Sequence, residues 1–278
     1  MTQYKLIASD LDGTFLNGEM KITPENRRAI AALQERGVLF VPASGRAFGE
    51  MDEELREDPL LRYYITSDGA MILDKVTGER DTACMDRALT QKIFDILEQY
   101  QVFFVVHCDG ASYMDADRLD AATYAHHRIT IYYAEILSKG NLAVSDFRSF
   151  YRSREEVEQI FVYFHSDEEM AECRTRLEQL EALRVVSSER GTFEIISAAA
   201  GKGNGLKRLA KRLGLELSQT IAVGDSANDL TMLRIAGLSL AVSNAWDEVK
   251  KESDQVICSC DGHICQYILE HILKEERS

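Results

Sequence analysis

Four short stretches carry side chains able to do chemistry. Asp10 and Asp12 stand in "DLDGT". Ser44, Gly45 and Arg46 close "VPASGR". Lys202 lies in "GKGNG", and Asp225, Asn228 and Asp229 share "GDSANDL". Asp10, Asp12, Asp225 and Asp229 brought together would repel one another, and a cation relieves that repulsion. His and Cys are absent from these stretches, so the donors are oxygens. Mg²⁺ is the ion that suits a few carboxylates, water and a substrate phosphate. Ser44 offers a hydroxyl to a phosphate oxygen, Gly45 a close backbone approach, and Lys202 a point charge. Such a set describes phosphoryl transfer. Asp10 is the expected nucleophile, taking the phosphoryl group as an aspartyl phosphate. Asp12 is placed to protonate the leaving oxygen and then to deprotonate water.

To act together, these stretches must meet in space. "KLIAS" reads as a short buried strand that ends at Asp10. "VLFVPASGR", "YYITSDGAMI", "TFEIISAAAGKGNG" and "TIAVGDSAND" likewise run from apolar strand to polar loop. Helices fall between them. "ITPENRRAIAALQERG" has Thr23 as N-cap, Pro24 at the first helical position, and a stripe of Ala29, Ile30 and Leu33. Gly37 is its stop. "LKRLAKRLG" carries Leu206, Leu209 and Leu213 on one side. Strand alternating with helix predicts an α/β fold: a doubly wound, Rossmann-like parallel sheet whose carboxyl edge gathers the loops.

From residue 83 to residue 190 the texture changes. "ALTQKIFDILEQ" and "DEEMAECRTRLEQL" read as helices; "VFFVVHCD", "ITIYYAEI" and "EQIFVYFH" read as strands. None of these strands ends in reactive polar groups. The expectation is an inserted α+β domain over 83–190, interrupting a catalytic domain made of 1–82 and 191–278. The aromatic residues of the insertion read as its core rather than as a cofactor box.

The chain has 278 residues, 45% of them hydrophobic, and a formal charge of −14. That charge disfavours a nucleic-acid partner. No apolar run reaches the ~18 residues of a membrane span, and the N-terminus lacks a signal-peptide pattern. A cytoplasmic location and no membrane partner are expected. Oligomeric state is not legible.

The four stretches resemble, in order and spacing, the four motifs of the haloacid dehalogenase-like (HAD) superfamily phosphatases. "DLDGTFL" is similar to the first, "FVPASGR" to the second, Lys202 in "GKGNGL" to the third, and "VGDSANDLTML" to the fourth. An insertion between the second and third motifs resembles the Cof-type, type II (C2) capped branch, as do "SNAWDEVKK" and Asp261-Gly262. The resemblance implies a HAD core with a cap that closes over the site and selects the substrate. It implies Asp10 as nucleophile and Mg²⁺ ligand, and Asp12 as acid/base and ligand through its carbonyl. Asp225 would be a direct Mg²⁺ ligand and Asp229 its support. Leu11, Ser44, Gly45, Lys202 and Asn228 would hold the phosphoryl group. One position departs: Asp68-Gly69 stands where the branch usually has Asn-Gly.

Rival readings carry less. "GKGNG" fits neither GxxxxGK[ST] nor GxGxxG. "CSCDGHIC", with Cys258, Cys260, Cys265 and His263, lacks the paired knuckles of a zinc site. Lys207, Arg208, Lys211 and Arg212 read as a solvated helix face. The expected function is Mg²⁺-dependent hydrolysis of a small phosphorylated metabolite, such as a sugar phosphate or phosphorylated cofactor. The alternatives are a phosphomutase and a catalytically silent binding or regulatory protein.

Overall fold

The structure is a computed structural model, and it describes residues 4–187 and 191–273. The outermost residues assigned to the catalytic domain, 1–3 and 274–278, lie outside the described residues. A parallel sheet runs in the spatial order Gln255–Val256, Leu238–Ala241, Thr220–Gly224, Leu6–Ser9, Leu39–Pro42. A parallel bridge from Ala43 to Ile65 sets the next strand, Tyr63–Thr66, beside it. Leu6–Ser9 is buried along its whole length, as a central parallel strand covered on both faces must be.

Local chemistry starts and stops the covering helices. The Thr23 hydroxyl accepts the Asn26 N–H at 3.3 Å at the head of Pro24–Glu35. Lys202–Arg212 buries Leu206 and Leu209 in the same core. Lys207 of that helix is exposed, but Arg208 and Arg212 are not a merely solvated face. Arg208 donates to the Gly69 and Asp81 carbonyls, and Arg212 to Glu79. These contacts pin an antiparallel hairpin, Met71–Asp74 with Glu79–Thr82, that follows Tyr63–Thr66.

The inserted α+β cap contains a six-stranded sheet in the order Leu183–Val186, Thr192–Ser197, Gln159–Phe164, Val102–Cys108, Ala111–Asp115, Asn141–Val144. Its pairs are antiparallel except the last. Alternation divides it cleanly. Val102, Phe104, Val106, Ile160 and Val162 pack in one cluster with helices Arg87–Leu97 and Asp167–Leu177. Phe103, Val105 and Tyr163 lie on the opposite face.

Two further expectations are corrected. Thr192–Ser197 is not a strand of the parallel sheet: it pairs antiparallel with Gln159–Phe164 and Leu183–Val186. An apolar run before a Gly-rich loop fits either sheet, and only its partners decide. "ITIYYAEI" is not a strand either, because Ile131–Gly140 is a helix. Thr130 caps it by accepting the Tyr133 N–H at 3.3 Å. Its β-branched and aromatic composition masked that cap. No helix among the described residues is long and apolar enough to cross a membrane.

Candidate active site

Asp10 emerges where Leu6–Ser9 ends, its N–H donating to the Val223 carbonyl at 3.0 Å. Lys202 opens its helix and is 1% exposed. The helix packs tightly there: a Cβ on Gly203 would lie 2.2 Å from the Thr231 carbonyl oxygen. Lys202 Nζ donates to Asp10 Oδ1 at 2.6 Å and to Asp229 Oδ1 at 2.7 Å. The second Asp229 oxygen accepts the Asp225 and Ser226 N–H groups at 2.9 and 3.1 Å. Asp229 therefore ties the ammonium to the loop that carries Asp225.

One ammonium does not balance this many acids. Oxygens of Asp10, Asp225 and Asp229 lie within 4.8 Å of one another. Burial pushes the Asp10 carboxyl well above its ordinary value; Lys202 opposes this, while Asp229, Asp225 and Asp12 add to it. Burial, then Asp229, raises Asp225 to about 7. Burial works against the charge on Lys202, but Asp10, Asp229 and Asp68 outweigh it and hold the group protonated. The Thr14 hydroxyl donates to Asp225 Oδ1 at 3.2 Å. Gly13 makes the turn at φ 75°, and a Cβ there would meet Asp225 Oδ2 at 2.9 Å.

Asp12 faces the same space with its carboxylate gripped by Arg46, through Nε at 2.9 Å and Nη2 at 2.5 Å. Arg46, a lesser candidate from sequence, thus belongs to the site. Ser44 Oγ accepts the Arg46 N–H at 3.1 Å. Asn228 Nδ2 donates to Asp68 Oδ1 at 3.0 Å, and Ser226 Oγ donates to Asn228 Oδ1 at 2.8 Å. Asp68 is buried with its Oδ2 unpartnered. Burial raises its carboxyl, against Lys202 and Asn228.

These groups form the floor of a cavity of about 580 Å³. Asp10, Asp12, Ser44, Gly45, Asp225 and Asn228 line it. Lys202 and Asp229 sit behind Asp10, and Leu11 is buried in the core with a side chain that does not reach the cavity. The roof comes from the second sheet and helix Ile131–Gly140: Val105, His107, Tyr133, Phe161, Tyr163 and Glu194. Sequence reading expected a cap over the site but read its aromatic residues mainly as core and took its strands to end without reactive groups, so His107 and Glu194 were not foreseen. Alternation in "VFFVVHC" and "QIFVYF" marks two faces but not which one meets the site. The Thr130 cap was the available signal for Tyr133.

The two sheets meet at a buried polar junction. Ser67 Oγ donates to Glu158 Oε2 at 2.8 Å, and His107 Nδ1 lies 3.3 Å from that hydroxyl. His107 Nε2 lies 3.2 Å from Glu50 Oε2, and Asn141 Nδ2 donates to Glu50 Oε1 at 3.1 Å.

Comparison with known proteins shows the family and the fold. The model of the haloacid dehalogenase-like hydrolase family matches residues 7–263. The phosphatase YwpJ of Bacillus subtilis is 30% identical over 97% of this chain and 100% of its own. The 5-amino-6-(5-phospho-D-ribitylamino)uracil phosphatase YwtE of the same organism is 29% identical, over 97% and 98%. A solved haloacid dehalogenase-like hydrolase from B. subtilis superposes with a TM-score of 0.82 at 30% identity, covering 97% of this chain and 100% of that one. A Bacteroides thetaiotaomicron structure of the same description, 22% identical with a TM-score of 0.79 over 97% and 99%, shares the fold.

Proposed function

This chain belongs to the haloacid dehalogenase-like hydrolases and is a phosphatase of its capped branch, and from that premise we propose that Asp10 takes the phosphoryl group from a small phosphorylated metabolite. The observation that carries the reading is the cluster of Asp10, Asp225 and Asp229, in which the Lys202 ammonium pairs with Asp10 and Asp229 but not with Asp225. Asp10 alone among these acids both lines the cavity and touches Lys202.

The donor set fits Mg²⁺: every available ligand is oxygen, and burial with mutual repulsion raises Asp10 and Asp225. Asp10, Asp12 and Asp225 would hold it, with Asp229 supporting. When bound, it supplies positive charge against the phosphoryl oxygens and the attacking carboxylate. Lys202 adds to that charge and orients Asp10. Ser44, Gly45 and Asn228 would bind the phosphoryl oxygens through hydroxyl, backbone and amide donors, with the Leu11 N–H beside them. An Asp10 oxygen attacks phosphorus, the P–O bond to the leaving group breaks, and Asp12 delivers a proton to the departing oxygen. Asp12 then takes a proton from the water that cleaves the aspartyl phosphate. Arg46 holds both Asp12 oxygens in this structure, and it would release one of them for that oxygen to carry the proton.

We place the catalytic domain at 1–82 and, given the pairing of Thr192–Ser197, from about 198 onward. The intervening cap would exclude water and select the leaving group. Asp10→Asn is expected to abolish turnover of p-nitrophenyl phosphate, by a factor of at least about 10³. Activity within tenfold of wild type would overturn the proposal.

A further inference from the structure

The turn Ser67–Asp68–Gly69 joins the cap to three of the loops that would hold the phosphoryl group. Its residues all have positive φ, at 48°, 48° and 78°. Glycine adopts such a backbone freely, and a Cβ on Gly69 would lie 2.3 Å from the Gly201 carbonyl oxygen. For Ser67 and Asp68 it is strained, and strain of this kind persists only where the surroundings impose it. Here backbone bonds do so. The Ser67 N–H donates to the Arg46 carbonyl at 2.9 Å, and the Asp68 N–H to the Ser44 carbonyl at 3.1 Å. The Gly201 N–H, one residue before Lys202, donates to the Asp68 carbonyl at 2.7 Å.

The two side chains reach different partners. Ser67 is fully buried, and its hydroxyl donates to the cap's Glu158. Asp68 faces the floor: its Oδ1 accepts from Asn228 Nδ2, and a Cβ on Gly45 would lie 3.5 Å from both of its oxygens. The Asn228 amide is thereby held at both ends, because Ser226 Oγ donates to its Oδ1. A flipped amide would set its oxygen against the Asp68 carboxylate, so the orientation is fixed. An amide nitrogen carries two hydrogens. Asp68 takes one, which leaves the other for a phosphoryl oxygen. Asn228, Ser44 and Gly45 line the cavity, whereas Ser67, Asp68 and Glu158 stand behind its wall.

We propose, resting on the phosphatase reading above, that Asp68 is a positioning residue that aims the Asn228 amide at the phosphoryl group, and that Ser67 makes this aim depend on the cap. While Glu158 holds the Ser67 hydroxyl, the strained turn stays in place, and Asn228 with it. Without that hold the turn relaxes, and the phosphoryl group loses a donor. The role needs an acceptor oxygen at position 68 and not its charge, so an asparagine there would fill it.

The test is the inhibition constant of inorganic phosphate against turnover of p-nitrophenyl phosphate in the presence of Mg²⁺. It is measured for wild type, Asp68→Ala, Asp68→Asn, Glu158→Ala and the double variant Asp68→Ala with Glu158→Ala. This constant does not depend on the folded fraction, and inorganic phosphate has no leaving group for the cap to touch. Asp68→Ala is expected to raise it about fivefold, and Asp68→Asn to leave it within about twofold of wild type. Glu158→Ala should raise it about threefold alone and leave it unchanged when added to Asp68→Ala. An unchanged constant in Asp68→Ala or in Glu158→Ala would overturn this inference alone. So would a fall in both position-68 variants, which would make Asp68 only a repelling charge, or an equal rise from Glu158→Ala in both backgrounds. If Asp68→Ala does not fold, Glu158→Ala decides by itself, with a raised constant expected and an unchanged one overturning the proposal. A wild type that does not turn over p-nitrophenyl phosphate would overturn the phosphatase reading, and this inference with it.

Discussion

A carboxyl raised from 3.8 to about 7, first by burial and then by Asp229, keeps in the folded protein a proton that the unfolded chain has lost by pH 5. Without a cation, Asp225 therefore subtracts stability as pH rises from about 4 toward 7, because the folded state binds more protons there. Binding of Mg²⁺ at this carboxylate must displace that proton. The apparent Mg²⁺ affinity, measured from the metal-dependent shift of the thermal transition, is expected to be roughly thirtyfold weaker at pH 5.5 than at pH 8. Equal affinities at the two pH values would contradict the assignment of Asp225 as a ligand. At this scale much was legible: each acid, Ser44, Gly45, Lys202 and Asn228 follow strand ends visible as apolar runs. The grip of Arg46 on Asp12 was not, because a guanidinium at a strand end has many acids within reach on a chain of charge −14.

Elements hold these residues in place, and the hairpin after Tyr63–Thr66 is an example. Asp74, 1% exposed, accepts from Arg62 and from the Val76 and Thr77 N–H groups, and Arg212 lies 3.8 Å away. The Arg62 bonds first, then the two N–H groups, pull its carboxyl down to about 2. Its contribution is therefore present above the ordinary carboxylate range and lost as pH falls through about 2. Asp74→Asn is expected to lower unfolding stability at pH 7 by about 1–2 kcal/mol, a modest figure because Arg62 is half exposed. Urea titrations should show the gap to wild type closing by pH 2; an undiminished gap would contradict this origin. Where the sequence shows both a cap and a period, as in Pro24–Glu35, the element is read correctly. Ile131–Gly140 and Thr192–Ser197 were misassigned because apolar composition does not reveal which partner a segment will meet.

Across the whole molecule, the cavity belongs to neither sheet alone. Loops at the carboxyl edge of the parallel sheet supply its floor, and one face of the antiparallel sheet its roof. The Glu50, His107, Ser67 and Glu158 junction fixes one on the other with buried polar contacts. This arrangement separates the chemistry from the choice of leaving group, so a substrate that leaves unaided tests the chemistry by itself. p-Nitrophenolate departs without a proton, so Asp12→Ala should still transfer its phosphoryl group to Asp10 but hydrolyse the product slowly. Rapid mixing of this variant with excess p-nitrophenyl phosphate is the most direct measurement. A burst of one nitrophenolate per active site is expected, with borohydride reduction then yielding homoserine at position 10. No burst, an unmodified Asp10, and phosphate released in step with nitrophenolate would contradict the account.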